Sequence, residues 1–167
     1  NMQLTKRQLA RLAIVLAFAI AVGMTMTLSK TAKASPLERF QWHYRPLLVF
    51  APSQENLDYQ QQTSAISDNQ LAFHERDMLH VAIVGDVVDL QQQASRSTTP
   101  PKATNHPWAD SLRRHYNISR NTFTVILIGK DGGEKARWSS PVTMTEIFTR
   151  IDAMPMRQRE IRSNRDD

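Results

Sequence analysis

The stretch Arg45-Pro46-Leu47-Leu48-Val49-Phe50-Ala51-Pro52-Ser53-Gln54-Glu55 decides the fold of this chain. Residues 46–51 are apolar without a break or alternation, so both faces of a strand built from them must be covered, as in a central strand between helices. Pro52 and Ser53 end the run. Ser53 is placed to cap a helix from about residue 54 into the sixties, with Glu55 near its positive end and Leu57, Ala65 and Ile66 toward the sheet. Residues 78–84 (MLHVAIV) and 122–128 (TFTVILI) have the same continuous apolar character. Strand, helix and strand in succession predict a right-handed βαβ unit with its two strands parallel.

Working outward, Lys130-Asp131-Gly132-Gly133 reads as a hairpin turn leading into a short polar strand at residues 134–138, which belongs at an edge. Residues 91–106 (QQQASRSTTPPKATNH) are polar and read as a surface loop. A helix follows over about residues 107–116, with Trp108, Leu112 and Tyr116 recurring every four positions. Thr143-x-x-Glu146 is a capping box that opens a last helix with Met144, Ile147, Phe148 and Ile151 on its buried stripe, and Pro155 ends it. The predicted architecture is α/β: a thioredoxin-like, four-stranded mixed sheet in the order β-α-β, α, β-β-α, with helices on both faces. It spans residues 45–160, between a leader at 35–44 and a charged tail at 161–167. No internal repeat or second domain is visible.

The 167 residues carry 21 Lys+Arg and 16 Asp+Glu. Five of the bases and none of the acids lie in residues 1–34, which leaves 16 of each sign in the rest. A neutral domain lacks the clustered positive charge that phosphate backbones require, so nucleic acid is not an expected partner. Lys6, Arg7 and Arg11 precede an uncharged run at residues 12–29, and Ala32-Lys33-Ala34 follows it, the pattern of a secretory signal cleaved after Ala34. The expected location is the periplasm or the medium. The alternative is an uncleaved anchor, since 18 uncharged residues approach the ~20 that span a bilayer. In that case alone would the membrane be a partner.

Arg45 to Ser53, Glu75-Arg76-Asp77-Met78, Leu127-Ile128-Gly129-Lys130-Asp131-Gly132-Gly133-x-Lys135 and Ile151-Asp152-x-Met154-Pro155-Met156-Arg157-x-x-Glu160 together resemble a bacterial family catalogued as a domain of unknown function. That family is related to the DUDES domain of equarin and the sushi-repeat secreted proteins, regarded as peroxiredoxin-like with a thioredoxin fold. The resemblance implies the same fold and little about activity.

In thioredoxin-like enzymes the reactive cysteine follows the first central strand, where free helix amides stabilise a thiolate. This chain has no cysteine, and its corner reads Ala51-Pro52-Ser53-Gln54-Glu55. A serine neither ionises near neutral pH nor cycles through sulfenic acid. The cis-proline expected before the third central strand is replaced by Arg120-Asn121-Thr122. Thiol exchange and thiol peroxidase chemistry are therefore excluded, as are thiolate-held zinc and disulfides. No G-x-S-x-G surrounds Ser53, and the five histidines (His43, His74, His80, His106, His115) form no metal-ligand spacing, so neither a metal nor any other cofactor is called for. The glycines after Lys130 lie between two strands, not before a helix, and do not make a phosphate loop. Arg76-Asp77, Asp152, Arg157 and Glu160 read as ion pairs that fix the chain ends, or as a charged patch facing a partner.

Open α/β sheets bind ligands at the carboxyl ends of their parallel strands. The candidate ligand-binding residues are thus Pro52, Ser53 and Gln54 after the first strand, Gly85 and Asp86 after the second, and Arg120 and Asn121 before the third. The expected function is a binding or interaction module for an unknown protein or small molecule, with no catalytic residue. The alternative is a non-thiol enzyme or antioxidant-type protein using Ser53, Asp86 and Arg120, which requires these side chains to converge on one cavity.

Overall fold

The computed structural model describes residues 37–91, 104–105 and 108–166. The expected signal segment, its cleavage point and most of the polar loop lie outside them. The elements are a short 3-10 turn Glu38–Phe40, β1 (Arg45–Ala51), α1 (Leu57–Asp68), α2 (Gln70–His74), β2 (Met78–Val84), β3 (Val87–Gln91), β4 (Thr104–Asn105), α3 (Trp108–Tyr116), β5 (Thr124–Ile128), β6 (Glu134–Trp138), α4 (Met144–Asp152) and α5 (Pro155–Asp166).

One sheet has the order β4-β3-β2-β1-β5-β6. β1 and β2 run parallel, with Leu47 opposite His80. β5 joins the other side of β1 antiparallel, with Leu48 opposite Ile126, and β6 lies at its edge. The expected strands are present, but the sheet has six strands and not four. One extra strand, β3, comes from Val84-Gly85-Asp86-Val87, where β2 turns back as a two-residue hairpin. The other, β4, lies at the end of the stretch expected as a loop, where Thr104 and Asn105 pair antiparallel with Val88 and Val87. Gly85 makes this turn at φ +55°, in the left-handed region that glycine enters without a Cβ penalty.

All seven residues of β1 are buried, because the strand has a covered face on each side. Leu47, Val49 and Ala51 pack with Val125 and Leu127 against Ile66, Phe73, Ile147 and Ile151 from α1, α2 and α4. Leu48 and Phe50 point the other way, with Leu79, Val81, Ile83 and Ile126, onto Leu112 and Tyr116 of α3. The unbroken apolar run is thus two alternating half-cores written into one strand.

Two helix starts differ from expectation. Asn56, not Ser53, caps α1: its Oδ1 accepts the Tyr59 amide at 3.0 Å. The chain needs a further turn after Pro52 to leave the sheet, so Leu57 becomes the first helical residue and stands 78 % exposed, while Gln62 and Ile66 face the core. Gln62 is accommodated because its Oε1 accepts the Val142 amide at 2.8 Å. At α4, the Thr143 Oγ1 accepts the Glu146 amide at 3.2 Å, while the Glu146 carboxylate turns to the Trp138 indole N–H at 2.8 Å. Pro155 ends α4 and also opens α5 at a helix's first turn, where a missing N–H costs nothing, so residues 155–166 continue as helix. Among the described residues no helix is long and apolar enough to cross a membrane.

Loss of the side-chain cap gives a direct check. Asn56→Ala is expected to cost about 1 kcal/mol, read as a drop of roughly 4 °C in thermal midpoint by circular dichroism. Ser53→Ala should leave the midpoint where it is; the reverse ranking would return the cap to Ser53.

Candidate functional site

The candidate residues come to one corner of the sheet, at the carboxyl ends of β1 and β2. Pro52 and Ser53 are half-buried and Gln54 is exposed. The Ser53 hydroxyl lies beside the Glu55 carboxylate and holds that group below its usual pKa. The Gln54 carbonyl accepts from the Gln60 side chain at 3.2 Å. Gly85 donates its amide to the Ala51 carbonyl at 3.2 Å, which sets the β2–β3 turn against Pro52.

Arg120 reaches Asp86 at 2.5 Å and Asp110 at 2.7 Å, all three being at least half exposed. Asp110 first, then Asp86, raise the Arg120 pKa. Asn121 beside it is exposed. Of the three groups that a non-thiol enzyme would use, Asp86 and Arg120 are in mutual contact, and Ser53 is engaged with Glu55.

Beneath this surface lies a residue that the sequence reading passed over. Arg113 of α3 is only 4 % exposed. Its Nη2 donates to the carbonyls of Ala51 at 3.0 Å, Ile83 at 3.3 Å and Gly85 at 3.4 Å, and its Nη1 to Ser119 at 3.0 Å. Its guanidinium lies 5.6 Å from the Phe50 ring centroid. Burial, and then the nearby Arg120 charge, lower its pKa, opposed by Asp86 and Asp110. One side chain therefore ties the end of β1 to the β2–β3 turn and to the segment that leads into Arg120. A sequence signal existed: Arg113 adjoins Leu112 and precedes Tyr116 by three, so it borders the helix's buried stripe.

The charged residues of the other recognised motifs gather at the opposite end of β1. Arg45, 1 % exposed, donates to the Arg76 carbonyl at 2.8 Å and to Glu160 at 2.9 Å. Lys130 bridges Asp77 at 2.9 Å and Glu160 at 2.8 Å. Arg76 grips Asp152 through two bonds of 3.1 and 2.6 Å, and Arg157 approaches both Asp152 and Glu160. These ion pairs fasten α5 and the α4 end to the sheet. Among the described residues no group of three His, Cys, Asp or Glu side chains is arranged to hold a metal.

Comparison with known proteins agrees with this architecture. Coiled-coil domain-containing protein 80 of Danio rerio is 29 % identical over 133 residues, which are 75 % of this chain and 15 % of that protein. The human sushi repeat-containing protein SRPX2 is 28 % identical over 147 residues, 88 % of this chain and 30 % of that one. The chain thus spans less than a third of the length of these relatives. Among solved structures, the reduced 2-Cys peroxiredoxin of Plasmodium vivax superimposes with a TM-score of 0.51 at 18 % identity, covering 74 % of this chain and 84 % of its own. Prx1a of Plasmodium yoelii gives 0.52 at 17 %, covering 74 % and 80 %. At these identities the likeness establishes the fold, which is the thioredoxin fold of peroxiredoxins, here without a cysteine. With residues 36–160 matching it, the chain belongs to the family described as a domain of unknown function, DUF4174.

Proposed function

We propose that this domain is a non-catalytic binding module, exported to the periplasm or cell envelope, which takes a protein or small-molecule ligand at the corner formed by Pro52, Ser53, Gln54, Gly85, Asp86, Arg120 and Asn121. One observation carries the reading. The corner that holds the reactive thiol in this fold keeps its strand, turn and helix, while its polar groups are engaged with each other. Arg113 sits on the strand-end carbonyls and Arg120 lies between two aspartates. No group there is poised to attack, and no cofactor is needed. An exposed aspartate–arginine–aspartate surface over a rigid base suits recognition of a polar partner. The amino-terminal pattern of residues 1–34 supports export.

The test is turnover by the purified protein with hydrogen peroxide, a small disulfide and an activated ester. The expected result is no rate above that of a methionine-matched control protein. A rate that disappears in Ser53→Ala or Arg120→Ala would show the corner to be an active site and overturn the proposal.

A further inference from the structure

A cavity of about 210 Å³ lies at the other end of β1, away from the corner. Its walls come from the 37–44 segment, the end of α3 and the β5–β6 turn, and include Glu38, Tyr44, His115, Tyr116, Ile128 and Asp131. No lysine or arginine is among the lining residues. Of the bases that adjoin lining residues in sequence, Arg39 is held over the rings of Phe40 at 4.6 Å and Trp108 at 4.5 Å, Arg45 and Lys130 are paired with Glu160, and Arg114 donates to the Ser111 hydroxyl at 3.5 Å. Among the described residues Glu38 has no ion-pair partner. Asp131 is bound by Lys135 at 2.6 Å and by the Gly133 amide at 3.1 Å, both of which keep its carboxylate ionised. After Lys135 is counted, two carboxylates leave one negative charge. The negative end of the α3 dipole, at His115 and Tyr116, adds to it.

Aromatic faces beside an uncompensated carboxylate are the chemistry that selects a single organic cation. The same turn displays Trp42, 61 % exposed and fixed at φ +69° by a hydrogen bond from its amide to the Lys130 carbonyl. An exposed indole on a fixed backbone next to a recess is the usual composition of a protein-contact anchor. We infer that this cavity receives one lysine or arginine side chain of a partner polypeptide, with Glu38 and Asp131 as its counter-charges, Tyr44 and Tyr116 against its stem, and Trp42 on the flanking backbone. This goes beyond the corner proposed above, and the two stand or fall separately.

The experiment is a nitrogen-15 NMR titration of the full chain with the blocked tripeptide Ac-Ala-Arg-Ala-NH2. Its controls are the same peptide with norleucine in place of arginine, and free agmatine. The arginine peptide is expected to shift the amides of Tyr116, Gly129 and Gly132 saturably, with the norleucine peptide about tenfold weaker. Glu38→Gln should weaken binding about fivefold. Lys135→Met should tighten it, because it frees Asp131, and a merely structural role would not produce a gain. Equal binding of the norleucine peptide, no saturable shift at these amides, or no tightening in Lys135→Met would overturn the site. Agmatine binding as tightly as the peptide would overturn the polypeptide partner. Shifts gathered instead at Ser53, Gly85 and Asp86 would also reject this cavity, while supporting the corner.

Discussion

Arg113→Ala is expected to lower the stability of the domain by about 3 kcal/mol, seen as a fall of roughly 10 °C in thermal midpoint. The side chain satisfies four carbonyls, three of them at the ends of β1 and β2 or in the turn after β2. Hydrogen bonds to a charged group are worth about 1.5–3 kcal/mol each when they stand alone. They do not add here, because removing the residue also removes the penalty of burying a cation. Lysine is not expected to rescue the variant, since a single ammonium cannot reach acceptors that a planar fork spans. Arg120→Ala, seven residues on, should leave the midpoint unchanged, because that guanidinium is solvated and its ion pairs are screened. Thermal and urea unfolding of the two variants checks the contrast. Equal effects would mean that the corner is not built on Arg113.

The same pair shows what could be read from the sequence. Arg120 was legible as a site candidate because it sits where a strand begins, and position along the chain is a local property. Arg113 was not, because its acceptors come from Ala51, Ile83 and Gly85, which are brought to it only by tertiary packing. The continuous apolar runs identified β1, β2 and β5 as strands, since a strand covered on both faces needs no partner to declare itself. The β2–β3 hairpin was readable too: Gly85-Asp86 between two apolar runs is a two-residue turn signal, obscured when those residues are considered only as a strand end. Ser53 lost the capping role to Asn56 because both are good caps, and only the path out of the sheet distinguishes them. Charge complementarity between Arg76-Asp77 and Asp152–Glu160 was visible, but the pairing of Arg45 with Glu160 across 115 positions was not.

Glu160→Ala is expected to cost about 3 kcal/mol. Arg45 is almost fully buried, and Glu160 is the only carboxylate that hydrogen-bonds it among the described residues; Asp77 stands at 4.0 Å. Removing one member of such a pair leaves an uncompensated charge, a change worth about 3–5 kcal/mol when the pair is deeply buried. The lower end applies because the Glu160 side chain keeps 22 % of its exposure and Arg45 retains the Arg76 carbonyl. The pH dependence follows. Burial pulls the Glu160 pKa up, but the hydrogen bonds from Arg45 and Lys130 outweigh it and hold the carboxyl below its ordinary 4.5. A group with a lowered folded-state pKa contributes its full stability above the unfolded value and loses it as the pH falls through the folded one. Unfolding free energy should therefore decline on acidification below about pH 4.5. Glu160→Gln should begin less stable and decline less steeply. Urea titrations between pH 3 and 7 compare the two slopes, and parallel slopes would remove Glu160 from the acid response.

The Arg45–Glu160 latch also sets an order of events during biosynthesis. A polypeptide emerging amino end first displays its innermost strand, with a cation at its head, long before the carboxylate that neutralises it has left the ribosome. The pair itself must wait for the closing helix, a long-range contact of the kind that slows folding. That delay keeps the emerging chain extended for longer than a fold closed by local contacts would.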